Sequence, residues 1–456
     1  MKHTSRTGFM RTMLSIAIPV TLQNLLFSSL TFIDTLMIGT LGDTPLAAVG
    51  MAGKWTWFLG IVLFGFTSGA SVFIAQYFGA NDVPGIRRTY GLMSIGTMAA
   101  ALCFMLPALL IPERIIALFT RDPEAIRTAC VYLRIVALAY PFQAIRRAGG
   151  TLLESTQRVV IPFVSAIVSV VTNVVLNALL IFGLCGFPAL GVAGGAIATV
   201  CASAADAVLL HVLGRVRATQ LRMPLADMLR ITPAFVRDYA RIAAPAMLNE
   251  TLWALSYLIY CAIFGHMSTK AYAAITVVKA IEDLTCVTIF GLGSSCAVMI
   301  GSYIGRGDFD TARRCAVRHL QLTVGLSAAL GAGLILARGL LLAAFDVSAA
   351  VRADAAAVLV IFGLELALHN LPYMLVVGIF RAGGDTRFAL LADSACAYLI
   401  GIPLTALAGL ALHFSVPATY LIMYLSEDAL KVVIYGRHFL SGRWIRPVVN
   451  TEQEDI

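Results

Sequence analysis

Two acidic side chains interrupt apolar stretches of the sequence, where the neighbouring residues would not solvate a charge. Asp34 lies in FSSLTFIDTLMIGTLG (residues 27–42), and Glu250 follows Pro245 in PAMLNETLWALSYLIY. A carboxylate in such surroundings is costly unless it binds a proton, a cation or a basic group. Proline removes a backbone hydrogen bond and can open the helix near Glu250 for ligands. We therefore predict that Asp34 and Glu250 can load and release a proton or bind another cation; the alternative is an acid that only joins two helices.

Other polar residues recur at helical spacing. Glu365 and His369 share one helix face, so they are predicted to form a hydrogen-bonded pair, and Asn370 follows them. Asn173 and Asn177 are one turn apart on one face. We interpret both sets as cavity-lining or coupling candidates, with purely structural polar contacts between helices as the alternative.

Lys279, Glu282 and Asp283 stand at i, i+3 and i+4, where they can neutralise one another. A self-contained ion pair is the favoured interpretation, with a coupling role as the alternative. Asp206, Asp393, Glu427 and Asp428 are placed nearer the cytoplasmic helix ends, where the sequence predicts pairing with Lys431 or snorkelling.

A site for an organic ligand would need apolar area, together with ring faces or polar groups that offset any hydration the ligand loses. The candidates for such a cavity are Gln23, Asn24, Asn249, Trp253, Tyr257, Phe64 and Tyr140. Aromatic residues of membrane helices also commonly face lipid, which is the alternative for the rings.

The composition places these residues in a lipid bilayer. Hydrophobic residues make up 59% of the chain and charged residues 13%, with a mean hydropathy of +0.86, outside the range of soluble domains. A hydrocarbon core of about 30 Å needs roughly 20 apolar residues per helix, and the long, unalternated runs exclude a barrel. The prediction is an all-α integral membrane protein with helices over residues 14–38, 52–78, 90–111, 126–148, 160–184, 190–213, 240–264, 272–304, 316–337, 351–380, 388–411 and 415–436.

The basic residues predict the orientation. With the N-terminus inside, 24 of the 33 lysines and arginines, among them Lys2, Arg222 and Arg230, fall on the cytoplasmic side. Both termini are therefore predicted to be cytoplasmic, in a multi-pass cell (inner) membrane protein whose first apolar run is a helix rather than a cleaved signal. The net charge of +8 is attributed to contact with anionic lipid, not nucleic acid. Nine cysteines without a C-x-x-C pair predict neither a disulfide nor a metal site.

An internal repeat divides the chain. Residues 16–88 align without a gap on residues 242–314, with 19 identities in 73 positions, including Pro19 on Pro245. The predicted organisation is a six-helix lobe over 1–214, a cytoplasmic linker over 215–238, a second lobe over 239–440 and a tail over 441–456. Six helices separate equivalent positions, so the pseudo-symmetric lobes share one orientation, which favours transport by rocking around a central cleft.

Several segments resemble the multidrug and toxic compound extrusion (MATE) transporters. They are FIDTLMIGTLGDTPLAAVG, FGFTSGASVFIAQYFGANDVPGIRR, PALGVAGGAIAT and RAGGDTR, and the resemblance covers essentially the whole chain. It implies a V-shaped twelve-helix fold in which entry of sodium ions or protons drives export of organic, often cationic compounds.

The resemblance also assigns roles to single positions. Asp34 matches the helix-one aspartate implicated in cation coupling, and Glu250 resembles the helix-seven acid of sodium-coupled members. Asn370 and Asn177 stand where some members carry an acid, so the proton relay of those members is not implied here. A complete sodium site would need His369 or Glu365 in place of the acid that Asn370 replaces.

The mechanism expected from these residues is exchange. A cation or proton neutralises Asp34 or Glu250 from outside and weakens the hold on bound drug, and drug binding from inside reverses the bias. A lipid-linked precursor flippase of the same superfamily is one alternative, but it would need more basic residues in the cleft. A membrane-embedded enzyme is the other, yet no nucleophile with a base and no ATP-binding loop is apparent. The transporter is expected to act as a monomer, with no cofactor besides the coupling ion.

Overall fold

Twelve long helical stretches make up most of the described chain. The computed structural model describes residues 6–217, 225–228, 231–345 and 347–448, with the side chains of all of these except 6, 7, 43, 225 and 226. The long helices are α1 (Arg6–Gly39), α2 (Asp43–Gly79), α3 (Val83–Leu110), α4 (Pro123–Ser155), α5 (Val160–Phe182), α6 (Val192–Arg217), α7 (Pro233–Met267), α8 (Thr269–Gly305), α9 (Phe309–Ala343), α10 (Ala349–Tyr373, continued as a π-helix over Met374–Phe380), α11 (Thr386–Ala411) and α12 (Val416–Ser441).

Each predicted span lies on one of these helices, and the all-α membrane fold is confirmed. Ten of the described helices are long and apolar enough to cross a membrane, and α10 and α12 are the long helices outside that set. Twelve crossings therefore stay a prediction. Helix ends differ from the predicted spans by up to nine residues, as at the start of α2, which begins at Asp43 rather than at residue 52.

The internal repeat reappears in the backbone. Helices α2 and α8 begin and end at positions that differ by the repeat offset of 226 residues, and α3 and α9 begin at equivalent positions. Asp82 accepts a hydrogen bond of 2.9 Å from the amide of Gly85, and Asp308 accepts one of 3.0 Å from that of Thr311. Both aspartates cap the first turn of the helix that follows, so the repeat preserves the cap as well as the helix.

The contacts divide the chain into two compact units, Ile18–Ala243 and the residues up to Ala17 together with those from Ala244 onward. Both boundaries fall inside a helix, α1 or α7, at repeat-equivalent positions just before Pro19 and Pro245. The sequence-predicted boundaries near 214, 239 and 440 stay predictions. Residues 218–224, 229–230 and 449–456 of the predicted linker and tail, with Lys2, lie outside the described residues.

The first unit is held by close helix packing. Leu59, Leu133 and Tyr140 are fully buried in one apolar core. A Cβ atom added to Gly194 of α6 would lie 2.4 Å from the backbone oxygen of Leu180 in α5, so only glycine permits this approach. The described part of the predicted linker includes a short helix, Leu225–Met228, that packs against α3.

The second unit has its own core, in which Phe264, Phe362 and Tyr420 are buried. Its α10 changes from α-helix to π-helix at Met374, next to Pro372, and the π-helical turn ends directly before Arg381. π-helical turns often occur at functional sites because they redirect the side chains that follow.

Candidate functional site

In the unit Ile18–Ala243, Asp34 is joined to α5 and α6 by a chain of polar side chains. Asn177 donates a hydrogen bond of 2.6 Å to Asp34 Oδ1 and one of 2.7 Å to Asn173 Oδ1. Asn173 in turn donates to Thr199 Oγ1 at 3.5 Å, and Tyr132 of α4 also interacts with Thr199. The structure thus brings together Asp34 and the two asparagines that the sequence selected separately.

This cluster offers oxygen atoms without offering a basic group. Asp34 is half-buried, and none of the described lysine, arginine or histidine side chains forms an ion pair with it. Both asparagines are buried, and Asn177 Oδ1 has no hydrogen-bond partner among the described residues. Carboxylate and amide oxygens are ligands for hard cations, and the same carboxylate can take a proton. The cluster is therefore chemically suited to an exchangeable cation.

In the other unit, Glu250 has a resident basic partner. An Arg381 guanidinium nitrogen lies 2.5 Å from Glu250 Oε1, and the side chain of Arg381 is only 5% exposed. Arg381 also donates a hydrogen bond of 2.8 Å to Asn249 Oδ1. A cation that binds Glu250 must therefore compete with a buried, charge-assisted ion pair.

Asn249 links this pair to a second buried cation. Its amide donates to Asp393 at 2.8 Å, and Lys431 lies 2.6 Å from Asp393 and 2.5 Å from Glu427. The predicted pairing of Lys431 with acids of α11 and α12 is confirmed for Asp393 and Glu427. Tyr260, the repeat equivalent of Asp34, joins these residues by donating a short hydrogen bond to Glu427.

The acids of α8 also follow the prediction. Lys279 lies 2.9 Å from Glu282 and 3.1 Å from Asp283, so the local ion pair forms as the spacing indicates. Asp206, in the first unit, is paired with Arg146 at 3.3 Å.

The predicted pair of Glu365 with His369 is wrong. His369 Nδ1 instead lies 2.8 Å from Asp428 of α12, which packs against α10. Both carboxylate oxygens of Glu365 are buried without a hydrogen-bond partner among the described residues. Asn370 donates to Ser327 at 3.0 Å. Helical spacing places Glu365 and His369 close enough to pair, but His369 pairs with Asp428 of another helix instead.

The proposed substrate residues have varied surroundings. The Tyr257 ring faces Lys279, whose nitrogen lies 5.3 Å from the ring centroid, and the Phe64 ring faces Arg147 at 5.0 Å. Tyr140 is fully buried, whereas Trp253 is 53% exposed. Gln23 is buried and donates to Glu154 at 3.4 Å, and Asn24 is half-buried. Cation–π contacts are thus made within the chain itself, and a role in substrate binding stays a prediction for all seven candidates.

Arg381 is the residue that the sequence interpretation missed. It begins the RAGG segment that recurs at residues 147–150, yet it is not among the predicted site residues. The recurrence of this arginine in the repeat is the sequence signal that could have identified it. Its partners Asn249 and Glu250 are far away in sequence, so local spacing could not.

Comparison with known proteins supports one assignment over both units. The MatE family model matches residues 19–179 and again residues 245–407. The chain is 28% identical over 309 residues, 67% of each protein, to the "Probable multidrug resistance protein YoeA" of Bacillus subtilis. It is also 28% identical over 390 residues, 83% of this chain and 82% of the relative, to the "Probable multidrug resistance protein NorM" of Bradyrhizobium diazoefficiens.

A solved structure shares the fold. A crystal structure of a mutant of the Vibrio cholerae MATE transporter VcmN superimposes with a TM-score of 0.88 at 18% identity, covering 97% of this chain and all of that one. At this identity the likeness shows the fold alone.

Proposed function

Since this chain belongs to the MATE family, we propose that it exports organic, often cationic compounds in exchange for Na+ or H+. It is a multi-pass membrane transporter and not an enzyme. The observation that carries the exchange is Asp34: a carboxylate within a candidate membrane-spanning helix, hydrogen-bonded to Asn177 but without a basic partner among the described residues. An acid held in this way can bind and release a cation during a transport cycle.

The exchange depends on competition for carboxylates. Binding of the coupling ion at Asp34 or Glu250 from outside lowers the negative charge that holds a cationic compound, and the compound leaves. Rebinding of a compound from the cytoplasm favours release of the ion inward. At Glu250 the coupling ion also competes with Arg381, so the two carboxylates differ in how readily they exchange.

The proposed setting follows from the basic residues of the sequence. With 24 of the 33 basic residues on one side, both termini are proposed to lie in the cytoplasm, next to anionic lipid. The proposed membrane is the inner membrane, and the proposed functional unit is a monomer. No further cofactor takes part. The lipid-linked precursor flippase is the less favoured function, since the largely buried basic side chains Arg146, Arg381 and Lys431 are each paired with an acid.

The test is transport into vesicles with one ion gradient at a time. Purified protein is reconstituted into liposomes, and movement of a fluorescent lipophilic cation is followed with an Na+ gradient or a pH gradient alone. We expect one gradient to drive transport in the native protein, and Asp34→Asn and Glu250→Gln to reduce it. Full gradient-driven transport by both variants would remove the mechanism. Asp310→Asn, an exposed site in the first turn of α9, is the matched control for charge removal.

A further inference from the structure

The connection between α10 and α11 holds a buried charged residue at each end. Arg381, at its start, is the partner of Glu250 and Asn249. Asp385, at its end, is fully buried and caps α11 by accepting a hydrogen bond from the amide of Phe388. Three residues separate the two charges, so contacts that fix Asp385 also restrain the backbone that carries Arg381.

The chain that follows α12 closes over Asp385. His438, in the last turn of α12, lies 2.9 Å from Asp385 Oδ2, and Arg446 lies 2.9 Å from Asp385 Oδ1. The imidazole of His438 also stacks on the ring of Phe388, with centroids 3.6 Å apart. Each carboxylate oxygen of Asp385 therefore has its own partner from the C-terminal part of the chain.

Residues 442–446, the C-terminal segment, also bind the connection through the backbone. The amide of Arg446 donates a hydrogen bond of 2.7 Å to the Gly383 carbonyl, and Gly384 forms a bridge with Ile445. Trp444 is fully buried, and a Cβ atom at Gly383 would lie 2.2 Å from its carbonyl oxygen. Backbone and side-chain contacts thus restrain residues 381–385 from one side.

We propose that Asp385 is a positioning residue for Glu250: together with the C-terminal segment it holds the connection so that Arg381 competes with the coupling ion for the Glu250 carboxylate. The inference rests on the proposed function, in which Glu250 binds that ion. In this proposal Asp385 acts on Glu250 only through Arg381.

The direction of the effect follows from competition. If the connection is loosened, Arg381 holds Glu250 less firmly and the coupling ion binds Glu250 more tightly. The apparent KM for the ion then falls, and the maximal rate falls too because the ion is released more slowly. A general loss of folded protein would instead lower the rate without improving affinity for the ion.

The experiment measures transport of a fluorescent lipophilic cation in proteoliposomes while the Na+ concentration or the pH is varied, using the gradient that drives the native protein. Asp385→Asn keeps a side chain that caps a helix but removes the charge. We expect it to lower the apparent KM for the ion by about threefold to tenfold, the effect of weakening one ion pair. Arg446→Gln, at a side chain 54% exposed, should act in the same direction without endangering the fold, and Arg446→Lys should restore the native value.

A second background and a pair of truncations complete the test. In Glu250→Gln, where Arg381 has no carboxylate to compete for, Arg446→Gln should leave the apparent KM unchanged. Ending the chain after Ser441 should reproduce the lowered KM, whereas ending it after Val448, which keeps residues 442–446, should not. An unchanged or raised KM in Arg446→Gln, or an equal change in the Glu250→Gln background, overturns the positioning role alone. If the native protein shows no gradient-driven transport, the proposed function fails and the inference falls with it.

Discussion

The amide of Asn177 holds Asp34 by a hydrogen bond of 2.6 Å, while Asn177's own carbonyl oxygen has no partner among the described residues. Glu250, by contrast, lies against the guanidinium of Arg381. The two acids that the sequence selected for the same role therefore sit in different electrostatic surroundings. Asp34 accepts a hydrogen bond from a neutral amide, whereas the charge of Glu250 is already compensated by the guanidinium of Arg381.

Replacing Asp34 by asparagine tests the uncompensated acid. The variant keeps the size of the side chain but removes the negative charge that binds the coupling ion in the proposed mechanism. We expect gradient-driven transport of a lipophilic cation in proteoliposomes to fall to the background of protein-free vesicles, and binding of the compound to weaken because less negative charge then holds it. Asp310→Asn should transport like the native protein. Native rates in Asp34→Asn would show that this carboxylate is structural.

Breaking the Arg381–Glu250 pair tests whether the charges compensate each other. Arg381→Gln leaves the largely buried Glu250 carboxylate without its cation. Removing one partner of a buried ion pair costs about 3 to 5 kcal/mol of stability. We expect a clear fall in Tm by thermal unfolding in detergent. Adding Glu250→Gln should restore much of that loss, because no charge is then left unpaired. If the double variant is as unstable as the sum of the single ones, the two side chains act independently.

Some of this architecture could be predicted from sequence and some could not, and the distance between partners along the chain explains the difference. Lys279 and its acids lie within one helical turn, so their spacing alone predicted the ion pair. The caps at Asp82 and Asp308 are equally local. His369 had a compatible neighbour one turn away in Glu365, yet it binds Asp428 on another helix. A single sequence contains no record of which helices touch.

The same reasoning explains the missed arginine. Nothing near Arg381 in sequence suggests a carboxylate partner, since Glu250 lies on α7, and the π-helical turn that precedes Arg381 has no clear sequence signal besides Pro372. The repeat predicted where equivalent helices lie, but Asp34 is matched with Tyr260, so it predicted no shared charge.

Lys431 should be far more important for stability than an ion pair at the surface. It is buried between Asp393 and Glu427, so Lys431→Met leaves two carboxylates without their cation, at a cost of about 3 to 5 kcal/mol. Arg134 pairs with Glu113 where both side chains are about half exposed, and Arg134→Gln should cost no more than about 1 kcal/mol. Thermal unfolding of both variants in one detergent makes the comparison. Equal shifts in Tm would mean that the buried cluster is strongly hydrated.

Gly194 allows α5 and α6 to approach closely enough for the Asp34 cluster to form. A Cβ atom there would lie 2.4 Å from the Leu180 oxygen, a backbone atom that no side-chain rotation can move away. Gly194→Ala must therefore push α5 and α6 apart. Overpacking of this kind destabilises a protein by about 1 to 3 kcal/mol. Asn173 and Thr199 lie on these two helices and are already 3.5 Å apart, so their hydrogen bond should break first.

We expect Gly194→Ala to lower Tm and to raise the apparent KM for the coupling ion, since Asn177 would hold Asp34 less precisely. Gly50→Ala, in α2, is the matched control: nothing lies within 4 Å of its added Cβ, and alanine in a helix should stabilise by about 0.5 to 1 kcal/mol. Tm and transport are measured on both. A Gly194→Ala protein as stable and active as Gly50→Ala would mean that the approach of α5 and α6 is not needed for ion binding at Asp34.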